Sequence, residues 1–585
     1  MYRTHRLFVA AATVLACGVS LAAGAAIAAP PDSVAAAAIP TPTIRWIAHP
    51  TYAVSQSSPI SVTTARGPQV IVGDAGGRLY SFARETGAVT WNRSLSTSSV
   101  LAPLSTDNTS ILVGLTSSTA TASTLGGYRS ADGATTWGAN TCTHCMQLGG
   151  AAISGATAAL GSAQSRDFGL ATNGRPQWSY LNSDSTNSTP AVADLYGGGS
   201  HEWVFTTDQT GNPNVRPPAL AGGHLRIFNA SGRELCNANI GGGPAKPGSF
   251  DSSPALVSFG SSPVIVFGTG ESGTTVNRLM VFNTACQPMW TSPALAGRTV
   301  GAPAVADTQG NGLPVVIEEV ANSAGHPVVY KIDIRNHKII GATTLSACSN
   351  FRPGSSSSVV TADLGNKGYQ DLIVPGGECG AVVLDGKSLA QVGAFGNGCG
   401  LQNSPLVTDD GSGRVGITLA GYSAKPGGGL WGCVIHAQVA NSSLGTIGWP
   451  EFHHDAQLSG SLRQTIAMHD GMIAGQSLGS GRSLTSAAGS NVLSMQADGN
   501  LVLRHGATVV WKAIATRAGV APGSHLVLAN TFVRIYSPAG RVMRQLWAVG
   551  SNATPVHLVV QTNSKLGLYT AGSNEWSSDV VLWHS

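Results

Sequence analysis

Two lines of sequence recur along this chain of 585 residues, and they restrict its fold more than any other feature. The first is an apolar strand, a polar turn often containing Gly, and Trp four residues later. It reads Tyr80-Ser-Phe-Ala-Arg-Glu-Thr-Gly-Ala-Val-Thr-Trp91 and Tyr128-Arg-Ser-Ala-Asp-Gly-Ala-Thr-Thr-Trp137. Phe168 to Trp178 and Phe282 to Trp290 repeat it, and Phe228 to Cys236 keeps the pattern with Cys at the Trp position. Ile332 to Ile340 and Leu384-Asp-Gly-Lys-Ser-Leu are weaker copies. The second line opens short apolar strands: Ser57-Ser-Pro59, Ser188-Thr-Pro190, Ser252-Ser-Pro254, Gly301-Ala-Pro303 and Asn403-Ser-Pro405.

Together the lines define units of roughly 40–58 residues holding four short strands each, the pattern of a β-propeller blade. Unit starts near residues 57, 100, 149, 188, 252, 301, 357 and 403 predict eight blades. Seven is the alternative, because the second and third units are degenerate. The expected class is all-β, with a signal peptide over 1–28, a linker over 29–43 and the propeller over 44–465. Residues 466–585 form a separate domain.

The amino terminus predicts export. Arg3, His5 and Arg6 precede an uncharged run from Leu7 to Ala29 that ends in Ala26-Ile27-Ala28, as in a Sec-type signal peptide. Val14-Leu15-Ala16-Cys17 has the form of a lipobox, so a lipid anchor on Cys17 is the alternative to release. Past this run no second apolar stretch is long enough to span a bilayer. Nine cysteines less Cys17 leave an even eight, which suits disulfides in an oxidising compartment.

The repeats resemble the PQQ-like and FG-GAP (VCBS) families of secreted bacterial propellers over about residues 44–465. Trp449-Pro-Glu-Phe-His-His-Asp-Ala-Gln is similar to a phrase of such proteins. Trp46 is read in the same role, and one of the two segments is expected to supply the strand that closes the ring. In four-stranded blades the inter-blade loops and the loops between second and third strands share one face. That ordering pairs Cys348 with Cys379 and Cys399 with Cys433, leaving Cys142–Cys145 and Cys236–Cys286. FG-GAP resemblance also implies calcium loops, in which carboxylates at alternating positions surround a hard cation. The corresponding acids are Asp194, Glu202, Asp363 and Asp371, with plain β-turns as the competing reading. No quinone or other cofactor is implied.

After residue 474 the pattern changes. Three subrepeats end in Val510-Trp511, Leu546-Trp547 and Leu582-Trp583, with tryptophans thirty-six residues apart. This predicts three small sheets around one core. Met495-Gln-Ala-Asp-Gly-Asn-Leu-Val-Leu-Arg504 resembles the bulb-type (monocot mannose-binding) lectin family and its Q-x-D-x-N-x-V-x-Y site, so a β-prism II fold is implied. Period-2 alternation would set Gln496, Asp498, Asn500 and Val502 on one strand face. By the resemblance the first three hydrogen-bond mannose hydroxyls and Val502 packs on the ring. Arg504 stands where the family has Tyr. The third subrepeat keeps Gln561, Asn563 and Tyr569 in register, while the second keeps only Tyr536.

Composition narrows the partners. Lys+Arg total 33 against 29 Asp+Glu, and charged residues are 11% of the chain where about 25% is usual. Such a chain lacks the clustered basic face that nucleic-acid binding requires. The catalytic motifs H-E-x-x-H and the P-loop do not occur. His453-His454-Asp455 and the acids Glu271, Glu318, Glu319 and Glu378 are the remaining candidates. The expected function is an exported carbohydrate-binding protein recognising mannose-type glycans or cell-surface polysaccharide. The alternative is a propeller glycoside hydrolase or polysaccharide lyase tethered by the lectin domain.

Overall fold

The computed structural model describes residues 38–581 apart from 118–121, 144–146, 197–199, 209–222, 241–251, 259–262, 271–276, 463–470, 474–476, 487–489, 515–520, 549–554, 561–563, 571–579 and a few one- or two-residue gaps. Among the described residues every regular element is a strand, and no helix is long and apolar enough to cross a membrane. The signal peptide and Cys17 lie outside the described residues.

Between residues 43 and 440 the strands form eight antiparallel sheets. In chain order they begin at Ile60, Ser99, Ala152, Ala191, Ala255, Gly297, Val360 and Leu406; we number them sheets 1 to 8. Each runs inner strand to outer strand in sequence, with the inner strand broken in two in sheets 2 and 6. Sheet 8 takes its fourth strand from the far end of the chain: Thr43–Ala48 pairs with Leu430–Ala440, Trp46 opposite His436. The inner strands of sheets 1 and 8 are neighbours, so the sheets close into a cycle. Trp46 therefore lies in the closing strand, whereas the Trp449 segment does something else.

The first recurring line is explained by the contact between successive sheets. Each turn between third and fourth strands holds one residue at positive φ, which L side chains avoid and Gly adopts freely. At Gly87, Gly133, Gly174 and Gly232 φ is +70°, +70°, +87° and +80°. Over each lies an indole from the preceding sheet: Trp46, Trp91, Trp137 and Trp178 respectively. A Cβ at Gly133 would come within 2.7 Å of the Trp91 ring. The Nε1 of Trp46, Trp91 and Trp137 donates to the turn carbonyls of Arg84, Ser130 and Thr172 at 2.7, 3.1 and 2.9 Å. A buried indole that keeps its N–H satisfied adds both area and register.

Beyond sheet 4 the same two positions change identity together. Cys236 stands in the Trp position and Cys286, at φ +55°, in the Gly position, and they form a disulfide. Trp290 stacks on His337, itself at φ +53°, with centroids 5.6 Å apart. Gly341 then lies against Leu389, at φ +60°. Disulfides Cys348–Cys379 and Cys399–Cys433 staple the loops around sheets 7 and 8. Three of the four expected pairs are thus present; Cys145, and with it the Cys142–Cys145 pair, lies outside the described residues.

The second recurring line stitches the inner strands together. Its Ser and Thr residues are buried, and they bond across sheet boundaries: Thr189 N donates to Ser253 Oγ at 2.9 Å, Gly150 N to Thr189 Oγ1 at 2.8 Å, and Asn403 Nδ2 to Ser57 O at 2.8 Å. Backbone groups of the same line also bond across boundaries, Ala302 N to Ser357 O at 2.9 Å and Ser404 N to Ser356 O at 3.0 Å.

Residues 443–462 fill the hub. Their carbonyls accept from inner-strand N–H groups in ring order: Ile447 from Asp307 of sheet 6, Trp449 from Thr361 of sheet 7 and Pro450 from Val407 of sheet 8. Ala456, Gln457, Ser459 and Gly460 then accept from Thr106, Ile153, Val192 and Leu256 of sheets 2 to 5. Trp449, Phe452 and Leu458 are buried. The Trp449 phrase is therefore an axial plug, correcting its expected role as a possible closing strand.

From residue 471 onward, three further four-stranded antiparallel sheets share one apolar core that includes Leu484, Leu493, Leu526, Val533, Leu558 and Leu568. The stretch 471–485 gives one edge strand to each: Gly471–Ile473 pairs with Pro555–Val560, Ser477–Leu478 with His525–Ala529, and Ser483–Thr485 with Asn491–Met495. One short segment thus ties all three sheets. Trp511 packs against this core; the side chains of Trp547 and Trp583 lie outside the description.

Candidate ligand sites

The first candidate is the hairpin at residues 496–500. The expected strand face is not there. Asn491–Met495 and Leu501–His505 are the two strands, and Gln496 to Asn500 is the turn between them. Gly499, at φ +92°, permits that turn, and Gln496 N donates to Asn500 O at 2.8 Å to close it. Period-2 reading fails because the alternation was carried through a reversal of the chain. Asp498 is exposed and Gln496 half-buried. Asn500 is buried, its Nδ2 donating to Ile514 O at 2.8 Å and its Oδ1 accepting from Ile514 N at 3.0 Å. Val502 is only 1% exposed, so it offers no open surface to a sugar ring. Of the third set, Gln561 and Asn563 lie outside the described residues, and Tyr569 pairs with His557 in a strand.

The expected calcium ligands are engaged elsewhere. Glu202 accepts from Leu195 N at 2.9 Å, while Asp194 is exposed. Asp363 accepts from Lys367 N at 2.6 Å and Gly368 N at 2.9 Å, which is how an Asp holds a tight turn. The Lys367 ammonium lies 2.6 Å from Asp371 and 3.1 Å from Asp385, where a cation would otherwise sit. Burial pushes Asp371 up to about 6 against the pull of that lysine. Among the described residues no group of three or more His, Cys, Asp or Glu is arranged to hold a metal. The Asp363 loop is thus a hydrogen-bonded turn, the reading that competes with calcium.

His453-His454-Asp455 belongs to the plug. His453 is fully buried, its ring nitrogens each 2.8 Å from a carbonyl, of Leu458 and Pro254, and burial pulls it down to about 4. Asp455 accepts from Ser459 N and Oγ. The trio braces chain turns.

A cavity of about 500 Å³ lies at the other end of the axis, within the range of small-molecule sites. One wall is the hairpin Ala321–Gly325 of sheet 6 together with Arg298 and Val300. The other is the loop Asn350–Ser355 that leads into sheet 7. Gln56 and Leu148, from before sheets 1 and 3, complete it. The loop crosses the ring to reach them: Ser355 Oγ donates to Leu148 O at 3.1 Å, Ser356 Oγ to Gln56 O, and Ser58 Oγ to Ser356 O at 2.9 Å. Arg298 and Arg352 line this space, and no carboxylate does among the described residues. Of the expected acids, Glu378 sits beside it, accepting from Asn350 Nδ2 at 2.6 Å. Glu318 and Glu319 are buried within sheet 6, with oxygens that have no partner in the protein, and burial raises both well above the usual carboxyl range. Glu271 lies outside the described residues. Sequence reading missed Arg298 and Arg352, since the cavity gathers residues as distant as 56 and 355.

Comparison with known proteins agrees with the ring. A family model described as outer membrane protein assembly factor BamB matches residues 32–243. No curated protein matches the chain. Among solved structures, BamB from Moraxella catarrhalis is 14% identical over 68% of this chain and 98% of its own, with a TM-score of 0.43. Quinohemoprotein alcohol dehydrogenase from Comamonas testosteroni is 11% identical over 67% and 76%, with a TM-score of 0.49. A Polygonatum cyrtonema lectin solved with monomannoside is 28% identical over 19% of this chain and 94% of its own, with a TM-score of 0.16. The eight sheets closed by Trp46 and the matching family model together give this chain a BamB-like β-propeller fold.

Proposed function

We propose that this is an exported carbohydrate-binding protein in which an eight-bladed propeller, residues 44–465, carries a bulb-lectin-like β-prism, residues 466–585. The observation that supports it most is the placement of Gln496 and Asp498 on an exposed hairpin of a three-sheet domain with one shared core. On this reading Gln496 and Asp498 bind the hydroxyls of a mannose-type sugar. Asn500 is a positioning residue, fixing the hairpin through Ile514, and Val502 belongs to the packing beneath it. Gln561, Asn563 and Tyr569 form a second contact set in the third subrepeat. Three disulfides accord with an oxidising, extracellular setting.

The lyase or hydrolase alternative needs a carboxylate at a substrate-sized cavity. The described cavity is lined by arginines and amides, with Glu378 beside it as the nearest of the candidate acids. A mannose-terminated glycan array probed with the full chain tests the proposal. Binding should fall at least tenfold in Gln496→Ala and Asp498→Ala at unchanged melting temperature; unaltered binding in both would sink the assignment.

A further inference from the structure

We propose that the cavity at the loop end of the ring binds an acidic sugar, a uronate unit of a polysaccharide, through Arg298 and Arg352. This site is separate from the 496–500 hairpin and stands independently of the mannose reading.

Charge and shape carry the inference together. In a chain with 33 basic residues spread over 585, two arginines line one cavity of about 500 Å³, with no carboxylate among its described lining residues and Glu378 beside it. A guanidinium keeps its charge at any physiological pH and matches a carboxylate with two parallel N–H donors. The other polar groups are neutral, and several are already engaged: Asn322 Oδ1 accepts from Ala324 N and His326 N, Asn350 Nδ2 donates to Glu378, and Ser355 Oγ donates to Leu148 O. Gln56 Oε1 is buried with no partner among the described residues, and an amide both donates and accepts, as ring hydroxyls require. An anion flanked by hydroxyls is a sugar acid. A bare anion would leave the Gln56 amide oxygen without a donor, and a peptide strand would need an open sheet edge, whereas this wall is made of loop and hairpin tips.

The site is also held in shape before any ligand arrives. Phe351 N donates to Gly325 O at 3.1 Å, joining the two walls, and Gly354 N donates to Gln402 O at 2.9 Å. Cys348, two residues ahead of the loop, is bonded to Cys379. Cross-ring bonds from Ser355 and Ser356 pin the far end. Rigid loops lose little entropy on binding, which favours affinity.

Titration calorimetry of the full chain with trimers of galacturonate, glucuronate and mannuronate, a neutral galactose trimer, inorganic sulfate and a short peptide with a free carboxylate tests this. At least one uronate trimer should bind, its affinity falling at least tenfold in Arg352→Gln and in Arg298→Gln and weakening with added salt. Gln496→Ala should leave it unchanged, which separates this site from the hairpin. Binding of no uronate, equal binding of the neutral trimer, equal competition by sulfate or peptide, or full affinity in Arg352→Gln with an unchanged melting temperature would each overturn it.

Discussion

Four junctions of the ring, from sheet 8 into sheet 1 through sheet 3 into sheet 4, are closed by an indole over a turn glycine; the next three use other pairs. At the first four the residue at positive φ is Gly87, Gly133, Gly174 or Gly232, and the space a Cβ would need is filled by Trp46, Trp91, Trp137 or Trp178. At the next three the positive-φ residue is Cys286, His337 or Leu389, and its partners are Cys236, Trp290 and Gly341. A large side chain over a small turn residue becomes a covalent bond, then two stacked rings, then a large turn residue over a glycine. The contact between the two positions is kept at each of these junctions while its chemistry changes.

The indole junctions should be the most costly to cut. Trp91→Ala removes a nearly buried ring and its bond to Ser130 O, which predicts a loss of about 3–5 kcal/mol, read as a fall in thermal midpoint. An equal fall from Ile340→Ala, an exposed residue in the fourth strand of sheet 6, would remove the special standing of the indole.

Next comes the covalent junction. Cys236→Ser with Cys286→Ser is expected to cost about 2–4 kcal/mol, by freeing the unfolded chain of a cross-link. The informative variant is Cys236→Trp with Cys286→Gly, which rebuilds the indole-on-glycine pair at the sheet 4–5 boundary. It should recover at least half of that loss and become insensitive to reductant. Failure to recover would mean the two kinds of junction are not interchangeable.

What could be read in advance follows from the same geometry. The Trp line was legible because the turn residue and the indole sit four residues apart in sheets 1, 2, 3 and 5, and Cys236 stands in the same register. The unit starts fall within a few residues of the first strands for the same reason. The hub was not legible, because Ile447 to Gly460 bind through main-chain carbonyls that leave no pattern in side-chain identity. Gln496 to Asn500 was misread because alternating polar residues were assigned to a strand, while Gly499 marked the chain reversal. The acids that the FG-GAP resemblance offered for calcium could not be weighed from sequence against Lys367, which stands four residues from both Asp363 and Asp371 and whose contact with Asp385 depends on the fold.

A third test separates packing from charge within sheet 6, whose exit junction is Gly341 on Leu389. Glu318 and Glu319 are buried with oxygens lacking partners, and both are raised well above the usual carboxyl range. The folded state therefore holds their protons more tightly than the unfolded chain does. Their contribution is fully favourable below about pH 4, under the unfolded carboxyl value, and is lost as pH rises toward the raised folded values. Glu318→Gln should accordingly stabilise the protein by about 1–3 kcal/mol at pH 8 and by little at pH 4. Melting curves of both proteins across that range decide it, and a gain independent of pH would assign the effect to packing.

The smallest effect is the one that isolates the indole contact itself. Gly133 and Gly155 both occupy positive φ, at +70° and +57°, but Gly155 has nothing within 4 Å of a built Cβ, whereas Gly133 would meet Trp91 at 2.7 Å. Alanine at Gly155 pays only for the left-handed backbone, about 1–2 kcal/mol. Alanine at Gly133 carries the same backbone cost and must also displace a ring whose Nε1 is bonded to Ser130 O, adding about 1–3 kcal/mol. The difference between the two melting shifts is thus the contact term with the backbone term removed. Combining Gly133→Ala with Trp91→Leu should shrink that difference, since a shorter side chain leaves room for the new methyl. If Gly133→Ala and Gly155→Ala shift the midpoint equally, the glycines of the first four junctions are there for the turn alone, and the indoles pack on them without requiring them.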